Sequence, residues 1–201
     1  MQVTAALLLI VVYVIYLKQT IKGESTPNPG TWIAWFVIMG INTVTYFKVV
    51  NDDYFKSAIV FVGFISVTLI MVYSLLRGKF VKLTKVDIWL LALSIIIGIF
   101  WQATKKAEVS NLLLQIVIFV SFLPTAIGLI QGRLKEKHTP WTLAAIAYSL
   151  QTASLLINYN GNLYELFLPI INGIMGNGMI TVIIFYQDIK MVKAIIRRFG
   201  A

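Results

Sequence analysis

The chain has 201 residues, of which 59% are hydrophobic and 12% are charged, with a formal net charge of +9 and a mean hydropathy of +0.84. Soluble domains are about 45–50% apolar and about 25% charged, so this composition excludes an ordinary soluble globular enzyme. The absence of cysteine and the single histidine, His138, exclude thiolate and multi-histidine metal sites, and neither a metal nor another cofactor is expected.

Seven runs without Asp, Glu, Lys or Arg follow one another along the chain, at 1–17, 25–47, 57–76, 88–104, 109–132, 139–164 and 166–187. A helix of about 20 apolar residues crosses the roughly 30 Å of hydrocarbon in a bilayer. The runs are continuous rather than alternating, which favours helices over a barrel. The predicted fold class is therefore all-α and integral to the membrane, with helices at 3–18, 31–50, 56–76, 87–104, 110–131, 140–158 and 163–188.

The first predicted helix is expected to be retained. Residues 1–17 lack the basic stretch that opens a secretory signal peptide, and no small-residue cleavage site follows Leu17. The loop that comes next contains Pro27, Pro29 and Gly30, which end helix one and begin helix two.

Helices two and six each carry an amide side chain near mid-depth. These are Asn42 and Gln151, and an aromatic residue shares the helix face of each, Trp35 seven residues before Asn42 and Tyr148 three before Gln151. A buried amide is costly unless it is paired. Two interpretations stay open: the amides line a pathway and bind a solute, or they hold helices together.

Helices five and seven contain a proline, Pro124 and Pro169 respectively. A proline inside a helix frees a carbonyl and allows a kink. Each is predicted to be a hinge for alternating access, with a static kink as the alternative.

Helix seven also carries two asparagines, Asn172 and Asn177, within a glycine-rich stretch. Five residues on an α-helix correspond to about 140°, so both cannot point straight at one solute. Asn172 is the preferred solute contact, while Asn177 is either a second contact or a packing residue.

Cations are distributed unequally between the two sets of connecting segments. The side of the N-terminus holds four, and the other side holds thirteen: Lys18, Lys22, Arg77, Lys79, Lys82, Lys85, Arg133, Lys135, Lys137, Lys190, Lys193, Arg197 and Arg198. The positive-inside rule then predicts a multi-pass cell-membrane protein with its N-terminus outside and its C-terminus in the cytoplasm. Membrane lipid accounts for the basic charge, so no nucleic-acid partner is expected.

An internal repeat is indicated at an offset of 109 residues. This offset places Gly23 on Gly132, Trp32 on Trp141, and Asn42 on Gln151. The predicted organisation is two parallel three-helix repeats, 1–85 and 109–201, joined by a linker helix at 86–108, a layout used by transporters.

Two stretches resemble a known family. Phe122-Leu123-Pro124-Thr125 and the basic loop after it resemble the PQ-loop pattern, and Leu168-Pro169-Ile170-Ile171-Asn172-Gly173 is similar to a helix of the SWEET sugar transporters. The chain differs where Thr125 replaces the family's glutamine and where Pro169 and Asn172 are not adjacent. The resemblance implies a divergent seven-helix transporter with a 3+1+3 arrangement that works by alternating access.

No ionisable side chain is predicted near the middle of a helix, whereas ion-coupled carriers usually need one. The expected function is therefore facilitated diffusion of a small neutral or zwitterionic solute, with sugar as one candidate.

No nucleophile–base pair is predicted in the core, so the chain is not expected to be an enzyme. The alternative is a PQ-loop-like membrane receptor or assembly protein, which predicts a closed and well-packed centre. A homo-oligomer is left open.

Overall fold

The computed structural model describes the backbone of residues 1–27, 29–77 and 85–199, and the side chains of 1–27, 32–77 and 85–189. These residues form helices and turns, without a strand among them. Some of the predicted cytoplasmic cations lie outside the described residues or side chains, namely Lys79, Lys82, Lys190, Lys193, Arg197 and Arg198.

All seven predicted stretches are helical. The helices are α1 (Gln2–Ile21), α2 (Pro29–Val49), α3 (Tyr54–Arg77), α4 (Lys85–Thr104), α5 (Ala107–Ser121), α6 (Leu123–Ile130), α7 (His138–Ile157), α8 (Tyr164–Phe167) and α9 (Asn177–Phe199), with a π-helical segment, Leu168–Gly176, between α8 and α9. The predicted fifth helix is thus interrupted at Phe122. The seventh runs from α8 through the π segment into α9.

Six of these stretches are long and apolar enough to cross a membrane: Gln2–Ile21, Trp32–Val49, Tyr54–Arg77, Lys85–Thr104, Ala107–Ile130 and Tyr164–Ile189. The remaining long helix, α7, has sufficient length but carries hydroxyl and amide side chains along it. Large apolar side chains such as Leu69, Trp89 and Val182 are exposed on the outer surface. An apolar exterior of this kind suits a multi-pass membrane protein.

The first three and the last three of the seven helical stretches pack in a similar way. Helix α3 packs against both α1 and α2, and the π segment and α9 together pack against both α7 and the α5–α6 pair. The two groups meet where α1 contacts α7 and where α2 contacts α5. Helix α4 contacts α2 and α5.

The same turn follows α1 and α6. Gly23 has a φ of 70° and Gly132 has a φ of 68°, a backbone region that favours glycine. Glu24 N donates to Gln19 O at 2.9 Å, and Arg133 N donates to Gly128 O at 2.9 Å. Both are the six-to-one hydrogen bond of a Schellman cap. Every residue of the second turn is 109 positions after its counterpart in the first.

We call the end of the bundle that carries these two turns, residues 22–27 and 131–137, the basic end. The turns touch each other there: Thr26 N donates to Lys135 O at 2.9 Å, and Lys135 N donates to Thr26 Oγ1 at 2.9 Å. The opposite end carries the connections at 50–53 and 158–163.

The interruption of the fifth span has a local cause. Pro124 is the second residue of α6 and has no N–H to donate to the carbonyl four residues earlier. The chain adjusts one residue before it, where Phe122 N donates to Phe119 O at 3.1 Å in a tighter turn. Pro169 lies likewise at the second position of the π segment.

Candidate solute cavity

A cavity of about 60 Å³ lies between α1, α2, α5, α7 and the π segment with the start of α9. This volume accommodates about four water molecules. Its walls are mostly apolar and aromatic, and the residues named in the next paragraphs supply its polar groups. Many lining residues lie close to the basic end, such as Tyr16 late in α1, Trp32 early in α2 and Trp141 early in α7. The cavity therefore occupies the half of the bundle nearer the basic end.

Four of the residues singled out from the sequence line this one cavity: Trp35, Tyr148, Asn172 and Asn177. The prediction that Asn172 and Asn177 cannot both point straight at one solute assumed an α-helix. The stretch Leu168–Gly176 is instead π-helical, with hydrogen bonds that reach five residues back, and both asparagines line the same cavity.

The two asparagines differ in what they bind. Asn177 Nδ2 donates to Asn172 O at 3.2 Å and to Gly173 O at 2.9 Å, which satisfies carbonyls of the wide π turn. The Asn172 side chain is only 6% exposed. Within the described part of the chain its amide has no hydrogen-bond partner. Leaving a buried amide without a partner is costly, so Asn172 is suited to bind a solute or water.

Two glycines let side chains of the cavity wall approach the π segment. A Cβ added at Gly173 would collide with Cβ and Cγ of Tyr148, and one at Gly176 would lie 2.7 Å from the Phe122 ring. The glycine-rich stretch therefore serves close packing of the helix backbone against two aromatic residues that line the cavity.

Four aromatic rings that contact one another in sequence line the cavity toward the basic end, and we call them the aromatic box: Tyr16, Trp32, Trp35 and Trp141. The ring centroids are 5.3 Å apart for Tyr16 and Trp32, and 5.1 Å apart for Trp32 and Trp35. They are 6.4 Å apart for Trp35 and Trp141, and 6.1 Å apart for Trp141 and Tyr16. A second void of about 10 Å³ touches the same four rings and also Glu136.

Glu136 is an ionisable group that sequence reasoning missed. Tyr16 OH donates to its Oε1 at 2.9 Å, and Trp141 Nε1 donates to its Oε2 at 3.4 Å. Burial raises the pKa of this carboxyl to about 7, although hydrogen bonds from Tyr16, Ser25 and Trp141 oppose the shift. The residue lies between Lys135 and Lys137 in a basic loop, a pattern typical of a solvated segment, so the sequence carries no signal of its partial burial.

Asn42 and Gln151 do not line the cavity. Asn42 Oδ1 accepts hydrogen bonds from Asn111 Nδ2 at 3.0 Å and from Gln115 Nε2 at 2.7 Å, which connects α2 to α5. For Asn42 the structure thus favours the alternative interpretation, an amide that holds helices together. Asn111 and Gln115 are four residues apart in the charge-free run at 109–132, so they share one helix face. That spacing was the sequence signal for a polar cluster on this helix.

Gln151 belongs to a polar cluster toward the opposite end, which we call the clasp: Tyr46, Lys56, Gln151, Asn160 and Glu165. Lys56 Nζ and Glu165 Oε2 form an ion pair at 2.7 Å, with side chains 13% and 4% exposed. Tyr46 OH donates to Glu165 O at 3.0 Å, Asn160 Nδ2 donates to Glu165 Oε1 at 2.9 Å, and Gln151 Nε2 donates to Lys56 O at 3.0 Å. The clasp joins α2, α3, α7 and α8 at the end away from the cavity.

Comparison of the chain with protein-family models, with curated proteins and with solved structures finds no match. The function therefore has to be argued from the cavity and the residues around it.

Proposed function

We propose that this chain is a membrane carrier that moves a small neutral or zwitterionic solute by facilitated diffusion, through alternating access of two three-helix halves. The halves are residues 1–85 and 109–201, with α4 as the linker. Their helices pack in the same relative order, and the turns after α1 and α6 have the same cap.

Contacts between residues 109 positions apart support the parallel repeat. If the two halves are related by a two-fold axis, residues at equivalent positions lie on opposite sides of that axis. Such residues can contact each other only close to the axis. Thr26 touches Lys135 at the basic end, and Lys56 pairs with Glu165 at the opposite end. Both pairs are separated by 109 residues. A two-fold axis along the membrane normal accounts for both contacts, and transporters built from parallel repeats have such an axis.

The observation that carries the transport proposal is the cavity between the halves, with the unpartnered Asn172 amide in its wall. A receptor or assembly protein needs no such space. The cluster around Asn42 is the kind of amide packing that this alternative predicts, but it lies away from the cavity. A concave, largely apolar site with a few polar groups is typical of small-molecule binding.

The positions of the clasp and the cavity favour one state of the transport cycle. With the basic end in the cytoplasm, as the cation distribution predicts, the clasp closes the external half while the cavity occupies the cytoplasmic half. The structure then corresponds to an inward-facing conformation of the carrier. Opening to the outside requires the Lys56–Glu165 ion pair to separate.

Uptake into proteoliposomes tests the proposal. Radiolabelled hexoses, polyols, neutral amino acids and trimethylammonium carboxylates are supplied outside, with and without a protonophore. We expect saturable uptake of at least one solute that the protonophore leaves unchanged, because facilitated diffusion needs no proton gradient.

The Asn172→Ala variant is expected to lower the uptake rate at least about tenfold, since it removes a buried polar contact to the solute. Asn158→Ala, at the exposed end of α7, is the matched control and is expected to transport normally. Absence of uptake for every solute supports the receptor alternative instead, and uptake abolished by the protonophore contradicts passive transport.

A further inference from the structure

We propose that the aromatic box and Glu136 bind the alkylated ammonium group of a small zwitterion, which names the substrate class of the carrier and rests on the proposed function. The four rings come from α1, α2 and α7, so the site is assembled from both halves of the chain. Two voids meet at the box, one of them lined by Glu136.

The rings suit a cation in the cavity that they line. Their centroids are 5.1 to 6.4 Å apart, so neighbouring rings contact one another. All four line the cavity of about 60 Å³, and an aromatic ring attracts a cation within roughly 6 Å of its centroid. Tryptophan is the strongest of the aromatic partners, and three of the four rings are tryptophans.

The polar groups of the box favour an alkylated ammonium over a neutral polyol. A polyol has to exchange each of its hydrogen bonds with water for one with the protein. The indole N–H of Trp35 already donates to Ser121 Oγ, and that of Trp141 donates to Glu136. A quaternary ammonium has no N–H to satisfy, so it needs only ring faces and a counter-charge, and Glu136 supplies the counter-charge.

The other end of a zwitterion has partners deeper in the cavity. Tyr148 follows Trp141 by seven residues on α7, about 10 Å along the helix axis. Asn172, Tyr13 and Tyr148 line the cavity, and within the described residues no hydrogen bond is formed by the Asn172 amide or by either hydroxyl. They provide donors for a carboxylate or an ester at a distance of several bonds from the ammonium.

Glu136 lies among other titratable and charged groups, which the binding measurement has to take into account. Tyr16 of α1 contacts it directly, and a surface groove next to it also contains Glu24, Lys135, Lys137, His138 and Asp188. Because burial holds the pKa of Glu136 near 7, its anionic form becomes dominant as the pH rises from 6 to 8. Cation binding to the anion is therefore expected to be about tenfold tighter at pH 8 than at pH 6.

Binding of tetramethylammonium to the purified protein, followed by tryptophan fluorescence and by calorimetry, tests the site. We expect saturable binding by the wild type, at least about tenfold weaker binding by Trp141→Leu, and a similar loss in Glu136→Gln together with loss of the pH dependence. Trp89→Leu removes a tryptophan that is 75% exposed and is expected to bind normally.

The outcomes separate this inference from the proposed function. Binding that Trp141→Leu and Glu136→Gln leave unchanged overturns the assigned site, and so does binding of glucose without binding of tetramethylammonium. Uptake of a neutral solute without any ammonium binding overturns the substrate class but leaves the carrier proposal standing. Box-dependent binding without uptake of glycine betaine supports the site and contradicts transport. Thermal unfolding of each variant identifies one that fails to fold, in which case the pH series on the wild type decides: tetramethylammonium binding no tighter at pH 8 than at pH 6 overturns the site.

Discussion

At the residue scale, the buried amides of this chain fall into two classes that the sequence does not distinguish. The Asn42 oxygen accepts two hydrogen bonds within the protein, although its Nδ2 is buried without a partner, whereas the Asn172 side chain lines the cavity and neither of its amide atoms is bonded within the described residues. Both are asparagines in apolar helices, and what separates them is the presence of a second amide on the neighbouring helix. Such a neighbour depends on helix packing, which a single sequence does not reveal.

The Asn42 cluster leads to a stability prediction. Asn42→Ala removes the oxygen that accepts hydrogen bonds from Asn111 and Gln115, so both buried amides lose a partner. Asn111 keeps its hydrogen bond to Thr45 and Gln115 keeps its bond to Asn111, so the free energy of unfolding is expected to fall by about 1–3 kcal/mol in total. Thermal unfolding in detergent measures the loss, with Asn158→Ala as the exposed control. An unchanged melting temperature contradicts a structural role for the cluster.

At the element scale, the π segment determines which side chains reach the cavity. Its sequence, with Pro169 at the second position and glycines at 173 and 176, predicted an irregular helix but not the wider turn. The angle of about 140° expected between Asn172 and Asn177 therefore does not apply to this segment, and whether both contact one solute stays a prediction. Pro124 likewise marked a discontinuity, and the structure locates it at Phe122. Whether either proline acts as a hinge stays a prediction.

A pair of glycine substitutions tests the packing of the π segment. Gly173→Ala is expected to destabilise the protein by about 1–3 kcal/mol, because its Cβ collides with the inner atoms of Tyr148 rather than with a flexible tip. Gly178→Ala has nothing within 4 Å of the added Cβ and is expected to be neutral or slightly stabilising. Chemical unfolding of both variants checks the difference. Equal stabilities would mean that Tyr148 does not pack on this backbone.

At the scale of the whole molecule, the spans were predictable because their signal is long and local. Charge-free runs of the length of a bilayer mark each helix, and all seven predicted stretches are helical. The weak identities at an offset of 109 residues pointed to the paired turns of Gly23 and Gly132. The position of Glu136 beside the aromatic box depends on α1, α2 and α7 meeting in space, and periodicity along one helix carries no information about that meeting.

The cavity lies toward the basic end and the clasp lies at the opposite end, which leads to a prediction about solvent accessibility. The chain has no native cysteine, so an introduced one is the single thiol. Ala144→Cys, in the cavity wall, is expected to react with a membrane-impermeant maleimide from the basic end but not from the clasp end. Adding Lys56→Gln and Glu165→Gln removes the ion pair of the clasp and is expected to allow labelling from both ends.

Right-side-out and inside-out membrane vesicles provide the two directions of labelling. Ile146→Cys, exposed on the outer surface of α7, controls for reagent that reacts within the lipid. Labelling of Ala144→Cys from the clasp end while the ion pair is intact contradicts the closed clasp.

The wide turn at Leu168–Gly176 also has a consequence for how the gene tolerates change. Loss of one codon inside it would let the stretch close as an ordinary α-helix. Because a π turn holds one residue more than an α turn, the rest of the helix would then keep nearly its present orientation. Loss of one codon within the α-helical part of α9 would instead rotate every later residue by about 100°. The wide turn is therefore the place in this helix where a single-residue deletion disturbs the packing of α9 least.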